Sequence, residues 1–187
     1  MITNAIVVAC ILVLLLSLIT VIIRLRLRGH NALSGKPPIP MWALLTGKLS
    51  MAITIFMMLA SALGLELGPE VPLGLQWVAV VILLAGLGIA IPSLFQLGEE
   101  LRFGLSEAHT ATLKSKGLYR VSRNPLYLGF YLIATASCLY VPTWATLFFA
   151  IVAIGIHHQV VLAEEQFLRQ RFAGTYNSYT RQVRRYL

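Results

Sequence analysis

The sequence predicts an all-α integral membrane protein of five transmembrane helices, the last two forming a tight helical hairpin beside a cytoplasmic pocket. Three observations lead there. Of 187 residues, 58% are hydrophobic and 12% charged, whereas charged residues make up roughly 25% of a soluble domain. Five apolar runs follow one another with connections too short to fold alone, so residues 1–187 read as a single membrane domain. Lysine and arginine gather at alternate ends of those runs, which is the pattern that orients helices in a bilayer.

Span one runs from Asn4 to Ile23, long enough to cross the hydrocarbon core, and stops at Arg24, Arg26 and Arg28. It lacks a basic lead-in and a small-residue cleavage pattern, so it reads as a retained helix. The segment from His30 to Pro40 carries Gly35 and the Pro37-Pro38-Ile39-Pro40 cluster and marks a surface loop. Span two extends from Met41 or Lys48 to Leu65, with Trp42 at the interface and the Lys48 ammonium reaching toward headgroups. Glu66, Gly68, Pro69, Glu70 and Pro72 form a short acidic turn. Span three covers Leu75 to Leu97, and Pro92 within it predicts a kink that frees a backbone carbonyl.

Gly98 to Asn124 is the longest polar segment. Span four, Leu126 to Tyr140, turns at Val141-Pro142-Thr143 into span five, Trp144 to Leu162. From Ala163 the chain becomes amphipathic, then ends in a basic, aromatic tail with Tyr176, Tyr179, Arg181, Arg184, Arg185 and Tyr186, expected to lie on anionic headgroups. Gly64 and Gly68 form a small-xxx-small pair that suggests a helix contact. The Lys and Arg distribution puts the N-terminus outside and both the long loop and the tail in the cytoplasm.

The net charge of +8 does not imply nucleic acid, because the basic residues flank apolar spans instead of forming an aromatic-interleaved patch. Cys10 and Cys138 fall inside spans without a C-x-x-C motif, so no disulfide framework or thiolate metal site is expected. Gly86-Leu87-Gly88 lacks the third glycine and the acidic residue of a dinucleotide fingerprint. No nucleophile elbow or phosphate loop is present, and no third ligand joins His157 and His158 to make a metal site. Those two histidines read as interfacial residues or as the lining of a substrate cavity.

Chemistry concentrates in Gly117-Leu118-Tyr119-Arg120-Val121-Ser122-Arg123-Asn124-Pro125-Leu126-Tyr127-Leu128-Gly129. Pro125 disfavours helix at Asn124 and suits the first turn of the helix that follows. Free N–H groups there, with Arg120 and Arg123 adjacent, suit a carboxylate or another electron-rich ligand group. The same loop also reads as a basic segment that only orients the chain. Glu164 and Glu165, at the inner end of span five, can close over the same cavity. Adjacent carboxylates diverge on a helix, so one of the two faces inward.

Gly117-Leu118-Tyr119, Arg123 through Gly129, Glu164-Glu165 after a hairpin, and the closing Phe172 to Tyr179 segment together resemble the isoprenylcysteine carboxyl methyltransferase family, which is related to the membrane phospholipid methyltransferases. The resemblance covers the chain from Gly98 onward. It implies a three-helix scaffold over residues 1–97, a catalytic half over 98–187, and S-adenosylmethionine as methyl donor. By motif position, Ala111, Thr112, Leu113, Lys114, Gly117, Tyr119, Asn124, Pro125, Leu126 and Tyr127 would hold that cofactor, with Glu165 or Glu164 at its amino end. The implied acceptor is lipophilic or prenylated and enters from the bilayer among membrane lipids, with an isoprenylcysteine-like carboxylate first. A phospholipid amine or a thiol also fits the resemblance. The family's eukaryotic members carry histidine where this chain has Asn124, and an arginine shortly before the glutamates where Val160, Val161 and Leu162 stand here. An NADPH-dependent sterol-type reductase and a small transporter are the readings from other classes.

Overall fold

The computed structural model describes residues 2–27, 37, 39–97 and 113–187. Five helices account for most of them: α1 (Ile2–Leu27), α2 (Met41–Ala62), α3 (Leu73–Leu97), α4 (Pro125–Tyr140) and α5 (Trp144–Gln182). A 3-10 turn over Gly117–Arg120 precedes α4. Among the described residues there is no strand, only an isolated parallel bridge between Ser122 and Arg184. Four helices, α1, α2, α3 and α5, are long and apolar enough to cross a membrane. The protein is a multi-pass membrane protein.

The expected span four is shorter than a crossing. At 16 residues, α4 reaches about 24 Å, whereas the hydrocarbon core is about 30 Å thick. Span five is corrected in the other direction. The helix does not stop at Leu162 but continues through the amphipathic segment to Gln182, interrupted at Ala173, whose φ of 34° and ψ of −110° are not helical. Its 39 residues correspond to nearly twice the hydrocarbon thickness, so the charged second half extends beyond any apolar slab. Helix α1 likewise continues past Ile23 to Leu27, taking Arg24 and Arg26 into its last turn.

Side chains from α1 to α4 build the main core. Val7, Ile11 and Leu14 meet Met58, Leu83, Leu87 and Ile133, all nearly inaccessible. A second cluster joins Met51 of α2 to Ala134 of α4 and to Ala150 and Ala153 of α5. The outward faces carry Leu16, Phe56, Val81, Trp144, Phe148 and Ile151 fully or largely exposed, a surface suited to lipid tails and not to water.

Helices α3 and α4 touch through backbone. A Cβ added to Gly86 would sit 2.9 Å from the Gly129 carbonyl oxygen, and one added to Gly129 would sit 2.7 Å from the Ala90 nitrogen. Small residues permit that approach. Of the pair Gly64 and Gly68, both follow the end of α2: Gly64, with φ of +100°, stands in open space, Gly68 lies close against Thr143 before α5, where an added Cβ would be 2.6 Å from Cγ2, and the close helix crossing is formed by Gly86 and Gly129. Helix α3 runs through Pro92, and Ser93 Oγ donates to the Ile89 carbonyl at 2.6 Å beside it. At the opposite end from the basic residues, Thr3 donates to Gln76 at 2.7 Å and Tyr140 to Asn4 at 2.8 Å, so polar groups at that end satisfy one another.

Candidate functional site

The polar loop is assembled by contacts from three directions. Gly117 has φ of +63°, a conformation natural to glycine. Its missing side chain leaves room for Gln96 at the end of α3, whose Oε1 fills the space an added Cβ would need and accepts the Leu118 N–H at 3.0 Å. From the C-terminal side, the Tyr179 hydroxyl donates to the Tyr119 carbonyl. The Arg123 N–H donates to the Arg184 carbonyl at 3.0 Å, and Ser122 Oγ donates to the Arg185 carbonyl at 3.2 Å. The third direction is α5, through Glu165.

Glu165 is buried, at 3% exposure, and lies at the centre of this assembly. Arg123 reaches it with two parallel bonds, Nε to Oε1 at 3.1 Å and Nη2 to Oε2 at 3.2 Å. Arg185 donates from Nε and Nη2 to Oε2 at 3.2 and 3.1 Å, and Asn124 Nδ2 donates to Oε1 at 3.0 Å. Five donors on two oxygens use the acceptor capacity of the carboxylate. Arg123 spends its remaining nitrogen on the Thr180 and Val183 carbonyls at 3.3 and 3.1 Å, closing the end of α5. The Glu165 hydrogen bonds hold the Arg185 guanidinium above its ordinary pKa. The expectation that Arg123 is available to a ligand is corrected, because its side chain is committed to Glu165 and to the end of α5.

The tail is corrected as well. Tyr176 is 1% exposed, and Arg185 and Tyr186 fold back onto α5 and α4 instead of spreading over headgroups. The Tyr186 hydroxyl lies 3.4 Å from that of Tyr131 and 2.7 Å from His158 Nδ1. Burial raises its pKa above the ordinary value, so it remains a neutral phenol. Arg181 is exposed.

Glu164 stands one residue earlier in a different environment. Its Oε1 accepts the Tyr127 hydroxyl at 3.1 Å, and neither arginine of the Glu165 network reaches it. Tyr127 also stacks obliquely on His157, with ring centroids 6.0 Å apart. His157 Nδ1 lies 2.7 Å from the Ala153 carbonyl, and its Cε1 lies against Gly47 of α2. Lys48 is within electrostatic reach of His157. One helix turn carries both residues that the sequence suggested for substrate contact, and they differ. His158 turns to Tyr186, while His157 turns to Tyr127 and α2. Beside them, Ile39, Pro40, Trp42, Ala43, Ile156 and Gln159 line a groove of about 270 Å³ between α2 and α5.

At the start of α4, Pro125 occupies the first turn and Asn124 precedes it, as the sequence predicts. No side chain caps this terminus, because the Asn124 amide is directed to Glu165 and to the Arg185 carbonyl. The free N–H groups of the first turn are thus left to something other than a cap. Among the other expected residues, Tyr119 is buried in the loop, Leu113 is half-buried and Lys114 is exposed, while Ala111 and Thr112 lie outside the described residues. Sequence reasoning missed Gln96 and Ser122, and it assigned Arg185 to the membrane surface. The signal for Gln96 was a lone amide ending an apolar run; Ser122 and Arg185 carried none, since their roles depend on the tail folding back.

Residues 75–175 match the phospholipid methyltransferase family. The matched stretch begins in α3, includes the polar loop and α4, and ends just past the α5 break. No curated protein matches the chain.

Proposed function

The chain belongs to the phospholipid methyltransferase family, and from that premise we propose that it transfers a methyl group from S-adenosylmethionine to the amine headgroup of a membrane phospholipid at the cytoplasmic face. The observation that carries this reading is the Tyr127–Glu164 hydrogen bond at 3.1 Å. It joins the uncapped start of α4 to the carboxylate of α5, across 37 positions of sequence, and Tyr127 also packs on His157.

The donor set fits the cofactor. Its carboxylate suits the free N–H groups at Leu126 and Tyr127, its ammonium suits Glu164, and the faces of Tyr119 and Tyr127 suit the sulfonium. Bound there, the cofactor supplies an electrophilic methyl group. The protein supplies alignment and the exclusion of water. Glu165 supports the pocket from behind: Arg123 and Asn124 hang from it on one side and Arg185 on the other, and this fixes the loop against α4. In this reading α4 and α5 act as a helical hairpin around a cytoplasmic cofactor pocket, and the acceptor enters laterally along the groove between α2 and α5.

An amine acceptor is favoured over an isoprenylcysteine carboxylate by the α5 segment before the glutamates. Val160 and Val161 are buried there at 3% and 0% exposure, so that stretch offers no cation to a substrate carboxylate.

Calorimetric titration of detergent-purified protein with S-adenosylhomocysteine, with NADPH as the control, tests the cofactor. Saturable binding of the first alone is expected. Binding of NADPH alone favours a reductase, and binding of neither to folded protein favours a transporter or scaffold. Glu164→Gln is expected to weaken S-adenosylhomocysteine binding by about tenfold through loss of a charge-assisted contact, while Arg181→Ala leaves it unchanged.

A further inference from the structure

An amine that accepts a methyl group must also lose a proton, and on the phospholipid reading above we infer that Nε2 of His157 takes it. The argument begins with the other ring nitrogen. Nδ1 lies 2.7 Å from the Ala153 carbonyl oxygen, one turn back on α5. A carbonyl has no proton to give, so Nδ1 is the donor and the neutral ring carries its lone pair on Nε2. The helix backbone therefore holds one tautomer, and that tautomer presents a base.

The position of the ring suits the task. Tyr127 packs on it with centroids 6.0 Å apart, and Tyr127 also holds the cofactor-side carboxylate Glu164. On the other side, the ring's Cε1 lies 3.6 Å from where a Gly47 Cβ would be, so α2 holds the ring in place against Tyr127. Ile156 and Gln159, its neighbours on α5, line the groove between α2 and α5. His157 thus stands between the expected entry of the lipid and the expected seat of the methyl donor. The two other candidate bases are placed differently: Glu164 is assigned to the cofactor's ammonium and already accepts from Tyr127, and His158 turns to Tyr186 of the tail and not to Tyr127. In the step, the headgroup ammonium gives a proton to Nε2, the lone pair so freed forms the new N–C bond, and the S–C bond breaks with its electrons remaining on sulfur.

The test uses His157→Asn, whose amide nitrogen can keep the bond to Ala153. Protein reconstituted in phosphatidylethanolamine–phosphatidylcholine vesicles is supplied with radiolabelled S-adenosylmethionine, and a farnesylcysteine acid is offered in parallel. For the amine, kcat is expected to fall about 100-fold, with S-adenosylhomocysteine affinity within about twofold of wild type, and added imidazole is expected to restore at least about a tenth of the rate. Independently of activity, ¹⁵N-histidine NMR of the wild-type protein should show the His157 signal, identified by its loss in the variant, as the Nδ1–H form. The inference is overturned by a kcat within about threefold of wild type, by loss of rate that imidazole does not rescue, by methylation of the carboxylate acceptor alone, or by an Nε2–H signal. Each of these leaves cofactor binding, and hence the methyltransferase reading, intact. Failure of wild-type protein to bind S-adenosylhomocysteine overturns both.

Discussion

Two neighbouring glutamates do different work because a helix sends them in different directions. Glu165 faces the loop and is enclosed by Arg123, Arg185 and Asn124, its side chain 4% exposed against 10% for Arg123 and 35% for Arg185. Removing its charge leaves two guanidinium groups facing a neutral amide. Glu165→Gln should therefore destabilise the protein by about 2 kcal/mol, less than the roughly 3–5 kcal/mol of a fully enclosed pair because Arg185 is partly solvated. Thermal unfolding in detergent should show it as a lowered Tm, with weakened S-adenosylhomocysteine binding following from the loosened loop. Glu164→Gln should reverse the pattern, keeping Tm within about a degree while binding weakens. Equal losses of Tm in the two variants would mean that the division of labour is wrong. From sequence alone the pair could be divided only in principle, since the choice depends on which side the arginines approach. Arg185, twenty positions later, is invisible to any local pattern.

At the scale of helices, what was legible was what hydropathy and proline encode. The start of α4 at Pro125, the turn at Val141-Pro142-Thr143 and the crossing helices all follow from apolar length and helix-breaking residues. What was not legible depends on contacts between elements. The tail reads as basic and aromatic in isolation, yet after the break at Ala173 it returns to the loop, and Tyr176 is packed away from lipid. Similarly, Gly86 read only as part of a failed fingerprint, and its use appears once Gly129 of α4 is seen against Ala90. That crossing is testable. A Gly129→Leu side chain has no space beside the α3 backbone, so the helices must separate, at a cost of about 1–3 kcal/mol or more. Because α4 carries Asn124 to Tyr127 at its start, the same variant should weaken S-adenosylhomocysteine binding at a distance. Gly88→Leu, where an added Cβ meets nothing within 4 Å, is the control expected to change neither property. A tolerated Gly129→Leu would show that the crossing does not set the position of the site.

For the whole molecule, the arrangement in the bilayer follows from where charge can reside. Lys114, Lys116, Arg120 and Arg123 lie at one end of the bundle with Arg24 and Arg26, whereas the connection from α2 to α3 carries Glu66 and Glu70 and no basic residue. Polar side chains at the acidic end bond to one another, as Thr3 with Gln76 and Tyr140 with Asn4, leaving the chemically rich residues to the basic end. On the proposed reading, the positive-inside rule would put Glu164, the start of α4 and His157 on the cytoplasmic side, where a soluble methyl donor is available, with the lipid acceptor arriving from the bilayer. Single-cysteine labelling tests this directly. With Cys10 and Cys138 replaced by alanine, Glu70→Cys should react with a membrane-impermeant maleimide on intact cells, and Ser115→Cys should react only after permeabilisation. The opposite labelling would put the candidate site on the outer face, away from the cytoplasmic supply of cofactor. In that case calorimetric binding could still be seen in detergent, but methyl transfer in intact membranes could not depend on the cellular donor pool, and the substrate reading would have to change with the orientation.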